Sequence, residues 1–525
     1  MSSSPNLNKT IKWPSNLLGT LLILIGIGVF LWFVILIGTN PDISLALDIN
    51  QPETSETPSF VMAFLIEFGI ILPVLAIIAG VVLISLGIKV FSGNITIARW
   101  AQLILFWLAI GTVIILFFNI YQILSELNQP AEIDSPLVPQ GKILTIISLF
   151  LLVLILGGFS IWLNRNQERF FYGNENLKAE EVRFAWNLLI PTIAVLIFVA
   201  GRPLEQTFIR SLTDKRFAGQ GVPNFVGFDN YKKLLTIRFD MVDCRMDEDM
   251  GECKLNPNGS IQWETIDKEA LVEGFRAVFT LQLPFFDKPR GLTISGLDRD
   301  FTESIWTTLV FTVISVTLEL ILAMFIALTV NSSFKGRGLM RAVMLVPWAI
   351  PTAITALLWE NMLKSTSAGV INKILLDLSI ISEPQAWLAI PELQVPSAIM
   401  VDVWKTAPFV ALLLLAGLQT IPEDLYEAAS VDGASGFQRF FSITLPLLKP
   451  TIAVALVFRT LDALRVFDLF NVLFSRQQLT MATYNYEMLV GSQKDGYASS
   501  ISIIIFIFIA IFAVLYVRML KVEVE

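Results

Sequence analysis

The feature that most constrains this sequence is a succession of apolar runs, each about as long as a bilayer is thick. A helix needs about 20 mostly apolar residues to cross the hydrocarbon core. Ten stretches qualify: 15–38, 61–88, 101–124, 143–163, 186–209, 304–330, 342–363, 397–418, 451–474 and 498–520. Backbone inside lipid must satisfy its own hydrogen bonds, so runs of this length fold as helices. Composition agrees. Of 525 residues, 54% are hydrophobic and only 16% charged, with a mean hydropathy of +0.68; soluble domains carry roughly 25% charge. The expected fold class is an all-α integral membrane protein of about ten transmembrane helices. The second run contains Glu67 and Pro73, which predicts a tilt or kink there.

Several chemistries are excluded at once. The chain has no histidine, which removes Ser-His triads, His-metal sites and imidazole relays. Its net charge of −8 points away from nucleic acid. No GxxxxGK[ST] phosphate loop occurs, so the chain is not expected to hydrolyse nucleotide by itself. The polar start Met1–Trp13 precedes an apolar run too long for a signal peptide and without a small-residue cleavage site, so that run is expected to be retained.

Lys and Arg give the orientation. The loops 39–60 and 125–141 contain neither and carry Asp42, Asp48, Glu53, Glu56, Glu126, Glu132 and Asp134 instead. The alternate loops are basic, with Lys89 and Arg99, then Arg165, Arg169, Lys178 and Arg183, then Lys335, Arg337 and Arg341, then Arg439 and Lys449, and last Arg518 and Lys521. Both termini and the loop 420–446 are expected in the cytoplasm, and the polar region 211–302 outside. That region, with "FRAVFTLQLPFF" at 275–286, has the size of a small domain, and its sequence does not declare a fold. It holds both cysteines of the chain, Cys244 and Cys253, for which a disulfide and two unrelated thiols both fit.

The loop 420–446 is neither a flexible linker nor a span. Thr420, Pro422 and Glu423 read as a helix start, with Asp424 where the helix dipole favours an acid. Gly433 reads as the stop of that helix, Ser435 restarts a second one, Leu445–Pro446 ends it, and Pro450 opens the next span. The result is a capped, rigid elbow. Leu425, Ala428, Ala429, Phe437, Phe440 and Phe441 give it apolar surface. Two readings fit: a docking knob for a partner, or a helix pair lying on lipid headgroups.

Glu427-Ala428-Ala429, then Gly433, Ile443 and Leu445-Pro446 at the intervening spacings, resemble the EAA signature of ABC importer permeases. The stretches "FVGFDNYKKLL" (225–235), "LVPWAIPTAITALLWE" (345–360), "VDVWKTAPFVALLLLAGLQTIPEDLYEAA" (401–429) and "ALRVFDLFNVLF" (463–474) are similar to the maltose-type sugar permeases. The resemblance covers about 186–525. It implies a six-span module at 186–525, preceded by a four-helix extension at 1–185 and interrupted by the insertion 211–302. It also implies that 420–446 is a coupling helix, with Glu427, Ala428, Ala429, Asp432 and Gly433 in the cleft of an ATPase subunit. The implied partners are an ATPase dimer, a second permease chain of different sequence, an extracytoplasmic solute-binding protein and the lipid of a bacterial-type plasma (inner) membrane. The chain itself would bind no cofactor, and ATP and Mg would sit on the ATPase. In sugar-binding members, the positions aligned with Trp348, Thr352, Asp402, Lys405, Thr406, Phe458, Asp462 and Arg465 line the substrate site.

The residues themselves point to the same region. Charge at membrane depth faces a cavity or a buried contact. Asp402 and Lys405 share a helix face and can simply pair. Arg459, Asp462, Arg465 and Asp468 recur every three residues, which suits either a salt-bridged seam or a polar pathway. Trp348 and Thr352, near the kinks expected at Pro347 and Pro351, offer an aromatic face and a hydroxyl.

The expected function is the membrane subunit of an ATP-driven carbohydrate importer, passing a di- or oligosaccharide or a glucosylated compatible solute by alternating access. A competing class is a polytopic glycosyltransferase-like enzyme, with Asp243, Asp247, Glu248 and Asp249 of 211–302 holding a metal; a solvated acidic loop fits the same residues. A secondary carrier would have no need of the coupling loop.

Overall fold

The computed structural model describes residues 13–39, 71–92, 94–127, 140–171, 177–218, 223–246, 253–256, 261–266, 268–283 and 289–519. The loop acids Asp42, Asp48, Glu53, Glu56, Glu132 and Asp134, the Glu67 carboxylate, the acids Asp247, Glu248 and Asp249, and Lys521 lie outside the described residues. The chain divides into two compact units, Met1–Ile209 and Arg210–Glu525. Among the described residues, seven helices are long and apolar enough to cross a membrane, one further pair of helices is bent by 91°, and Ser15–Val29 and Ala76–Val90 are shorter apolar helices.

The first unit is built from long helices: α1 (Trp13–Thr39), α2 (Ile71–Val90), α3 (Ile95–Leu127), α4 (Gln140–Phe170) and α5 (Leu177–Leu196), the last running on through a π-turn at Ile197–Gly201. The helices α1 and α2 pack through glycines spaced seven apart. A Cβ added at Gly19 would stand 2.8 Å from the Gly87 carbonyl oxygen, and one at Gly26 would stand 2.9 Å from that of Gly80. Lipid supplies no hydrophobic drive for helix pairing, so close backbone approach at small residues carries the contact. Pro73 lies near the start of the described part of α2, and residues 61–70 of the expected bent run, Glu67 among them, lie outside the described residues. Between α3 and α4, Ser160 Oγ donates to the Gln102 carbonyl at 3.2 Å.

The second unit begins with a small β-domain, the part of the fold that the sequence left open. Strands β1 (Ile237–Asp243), β2 (Arg276–Leu283) and β3 (Arg290–Gly296) form an antiparallel sheet in the order β1-β3-β2. Cys244 and Cys253 are joined by a disulfide. The sheet feeds α6 (Arg299–Asn331), whose start is fixed by Asp298: its Oδ1 caps Phe301 N, and its Oδ2 accepts hydroxyls from Tyr484 at 2.7 Å and Tyr497 at 2.5 Å.

Helix α6 packs on α8 (Pro391–Leu418) and α10 (Leu445–Ala463). Buried Ala323 and Ala327 of α6 share one core with Val410, Ala411 and Leu414 of α8 and Leu448 and Ala455 of α10. The last helix is α12 (Asp495–Met519).

Four local expectations are corrected. The stretch 342–363 is not one continuous helix: Arg337–Ala349 and α7 (Thr352–Met362) meet at 91°. Pro351 holds Ile350 extended, at ψ 130°, and so breaks the helix there. The stretch 451–474 also breaks, because α10 ends at Ala463 and α11 (Asp468–Phe474) is a separate helix. Arg465 and Asp468 therefore do not continue the face of Arg459 and Asp462. Thr420 does not cap the coupling-loop helix α9 (Glu423–Val431). Its hydroxyl donates back to the Gly417 carbonyl at 2.7 Å, and Pro422 occupies the cap position. Finally, Leu445–Pro446 does not end the second loop helix. Gly436–Arg439 continues through a π-turn at Phe440–Thr444 into α10, and Pro450 lies inside that helix.

The glycine contact of the first unit makes a direct prediction. Gly87→Leu should lower stability by about 1–3 kcal/mol through overpacking. Gly28→Leu, where a Cβ meets nothing within 4 Å, should leave it unchanged. Thermal unfolding of the purified full chain in detergent measures both.

Candidate functional site

A cavity of about 370 Å³ opens in the second unit where several chain interruptions converge. The bent pair of helices contributes Trp348 and Thr352, α8 contributes Asp402, Lys405, Thr406 and Phe409, and α10 contributes Phe458, Arg459 and Asp462. The connection after α10 adds Arg465 and Phe467, and α6 adds Phe311. All eight candidate substrate residues implied by the family resemblance line this one cavity. Its volume lies in the range of small-molecule sites.

The electrostatic centre is Arg459, which is buried. Glu319 of α6, fully buried, takes Nε and, at 2.7 Å, Nη2 of the guanidinium. Asp402 of α8 shares Nη2 at 3.0 Å, and Asp462, one turn on in α10, takes Nη1 at 2.6 Å. Ser315 Oγ lies 2.6 Å from Asp402 Oδ2 and 3.0 Å from Glu319 Oε1. One guanidinium, with its fork of donors, thus joins three helices. The pairing of Lys405 with Asp402 that their spacing allows is not made: Lys405 Nζ turns to the Trp348 carbonyl at 3.4 Å. Exposed Arg465 stands 3.6 Å from Asp462, so these two charges face the open cavity.

The remaining wall is aromatic. Trp348 stacks on Phe409 with ring centres 4.9 Å apart and planes within 9°. Thr406 closes its own helix by donating to the Asp402 carbonyl at 2.6 Å. The cavity therefore offers carboxylates, a guanidinium and an ammonium beside flat apolar faces. Such groups suit polar contacts at the edges of a ligand and apolar contact with its faces.

Sequence reasoning missed Glu319 and Phe409. Glu319 is a lone acid in an apolar run, and its partner lies 140 residues away. The signal that it carries is that lipid does not tolerate an unpaired carboxylate. Of the acids considered for a metal, Asp243 faces Arg290 at 3.0 Å, and among the described residues no group of three or more acids or cysteines could hold one.

The loop residues Glu427, Ala428 and Ala429 lie on α9, with Asp432 and Gly433 at its end. Gly433 has φ +79° and forms a Schellman stop: its N–H donates to Ser430 O at 3.1 Å, and that of Ala434 to Ala429 O at 2.9 Å. Ser435 and Gln438 then form a reciprocal capping box. Tyr426 and Thr444 hydroxyls meet at 3.0 Å, and Arg439 donates to Ser430 Oγ at 2.8 Å, so α9 is clamped to the following helix. Phe437 and Val431 are strongly exposed.

Residues 319–521 match the family described as binding-protein-dependent transport system inner membrane component. The chain is 46% identical over 226 residues to the trehalose/maltose transport system permease protein of Thermococcus litoralis, spanning 42% of this chain and 75% of the relative. It is 37% identical over 228 residues to the sulfoquinovosyl glycerol transport system permease protein of Agrobacterium fabrum, spanning 43% and 73%. Among solved structures it is similar to a chain of a bacterial ABC transporter involved in the import of alginate, at 22% identity and a TM-score of 0.46, covering 66% of this chain and 98% of that one.

The charge network predicts a steep response to loss of one partner. Glu319→Ala leaves Arg459 buried and undercompensated and should cost about 3–5 kcal/mol. Glu319→Gln, which keeps a hydrogen-bonding amide, should cost less. Thermal unfolding of the purified variants measures the difference.

Proposed function

The chain belongs to the binding-protein-dependent transport system inner membrane components, and from that premise we propose that its charged and aromatic cavity carries a hydroxyl-rich sugar across the membrane. It is a multi-pass membrane permease, a transport subunit of a carbohydrate ABC importer and not an enzyme. The single observation that carries the substrate reading is that one cavity is lined by Asp402, Asp462 and Arg465 together with the Trp348–Phe409 stack. Relatives named for trehalose, maltose and sulfoquinovosyl glycerol define the panel: a di- or oligosaccharide, or a glucosylated polyol.

The remaining assignments follow the family's mode of action. The partners are an ATPase dimer, a solute-binding protein and a second permease chain. ATP and Mg bind on the ATPase, while this chain needs no cofactor of its own. Glu427, Ala428, Ala429, Asp432 and Gly433 form the surface that enters the ATPase cleft. Their loop lies in the cytoplasm with both termini, as the distribution of Lys and Arg indicates.

Two experiments bear on the two sites. In the assembled complex, Asp462→Ala should reduce uptake of the preferred sugar of that panel roughly tenfold or more, the equivalent of one charge-assisted hydrogen bond of about 1.5–3 kcal/mol. Assembly should persist, because Arg459 keeps Glu319 and Asp402. Normal uptake by this variant would leave the cavity a structural seam. At the loop, Gly433→Val places a β-branched residue at φ +79°, a strain of about 1–2 kcal/mol. Substrate-stimulated ATPase activity should fall in that variant and survive in Gly433→Asn, since asparagine tolerates this conformation. Equal activities would remove the coupling role.

A further inference from the structure

The small sheet is inside out. In β3 the residues turned inward are Gly291, Thr293 and Ser295, all buried, whereas Leu292 and Ile294 face outward. The pairing register adds Phe239 and Met241 from β1 and Phe279 and Leu281 from β2 to the same outward face. Phe239 is 62% exposed and Met241 51%. On the inner side the sheet hydrogen-bonds Thr280 to Thr293 at 2.7 Å. A water-facing antiparallel sheet alternates the other way, with apolar residues in and polar residues out. Six apolar side chains on one open face therefore need a cover.

The neighbouring helix says what the cover is. Phe279, at the β2 side of this face, packs on Trp306 with ring centres 4.7 Å apart. Trp306 lies two turns into α6, on the side where Val313 and Ile321 follow at helical spacing, both strongly exposed. In a membrane span, that outward apolar stripe faces acyl chains. Tryptophan is the residue of the membrane–water boundary. The apolar sheet face is thus continuous with the lipid-facing stripe of α6, joined through an interfacial aromatic pair.

We propose that the three-stranded sheet lies on the bilayer, with Phe239, Met241, Phe279, Leu281, Leu292 and Ile294 seated at the boundary between headgroups and acyl chains. The domain is then an interfacial float attached to α6 rather than a module held clear of the membrane. The proposal needs only that the chain spans a membrane and is independent of the transported solute.

The test uses single-cysteine labels, made clean by the native Cys244–Cys253 bridge. Met241→Cys and, as a second site on another strand, Leu281→Cys are each labelled with bimane in the full chain, co-purified with its partner subunits and reconstituted in nanodiscs. Gln282→Cys, an exposed position on the opposite face, is the reference. Lipids brominated just below the carbonyl should quench the labels at 241 and 281 and spare the one at 282. Iodide in the buffer should quench in the reverse order. Loss of bromolipid quenching at both 241 and 281 overturns the proposal. With iodide reaching them the face is solvated, and with iodide excluded it is covered by a partner protein.

Discussion

A guanidinium buried among membrane helices cannot stay uncompensated, and the arrangement around Arg459 follows from that requirement. Glu319 neutralises it from α6 in a nearly dry setting, Asp402 reaches it from α8, and Asp462 reaches it from one turn further along Arg459's own helix, α10. Glu319 and Asp402 fix the rotation and height of their helices against α10, because a shift of one turn would strand a charge in a medium that penalises it by several kcal/mol. The small residues between α6 and α8 allow close approach but would tolerate sliding. The ion cluster removes that freedom and thereby sets the wall of the cavity.

The interruptions in the helices serve the same site. At Ile350–Pro351 and after Ala463 the backbone leaves the helical path beside the cavity. Freed carbonyls there are satisfied by side chains, as Trp348 O is by Lys405. Irregular backbone at membrane depth is tolerated only where protein or a polar cavity receives it. Breaks and buried charges thus occur together because each supplies what the other lacks.

Much of this was legible in the sequence, for identifiable reasons. The charged cavity residues stood out because charges inside apolar runs are conspicuous, and Asp462 declared itself by its three-residue spacing from Arg459, while Phe458 entered only through the family resemblance. Gly433 and Ser435 were legible because caps are local chemistry. Glu319 was not, since its partner is distant in the chain. The end of α10 at Ala463 was not, because "ALRVF" contains neither proline nor glycine. Pro446 misled in the other direction. It suggested a stop, but the π-turn at Phe440–Thr444 widens the turn before it and lets a residue without an N–H enter a continuing helix. The β-domain escaped because its alternation is inverted, so the usual test of burying the apolar face gives no answer.

The unbroken path from Gly436 to Ala463 has a mechanical consequence. At 1.5 Å per residue, those 28 residues make a shaft of about 40 Å. A tilt of about 5° at the clamped elbow would sweep the far end, where Arg459 and Asp462 sit, through roughly 3 Å, about the length of one hydrogen bond. Because the elbow is bolted to the shaft by Tyr426–Thr444 and Ser430–Arg439, little of that motion is lost at the joint. A displacement too small to unfold anything at one membrane face therefore becomes large enough to trade one set of charge contacts for another in the interior.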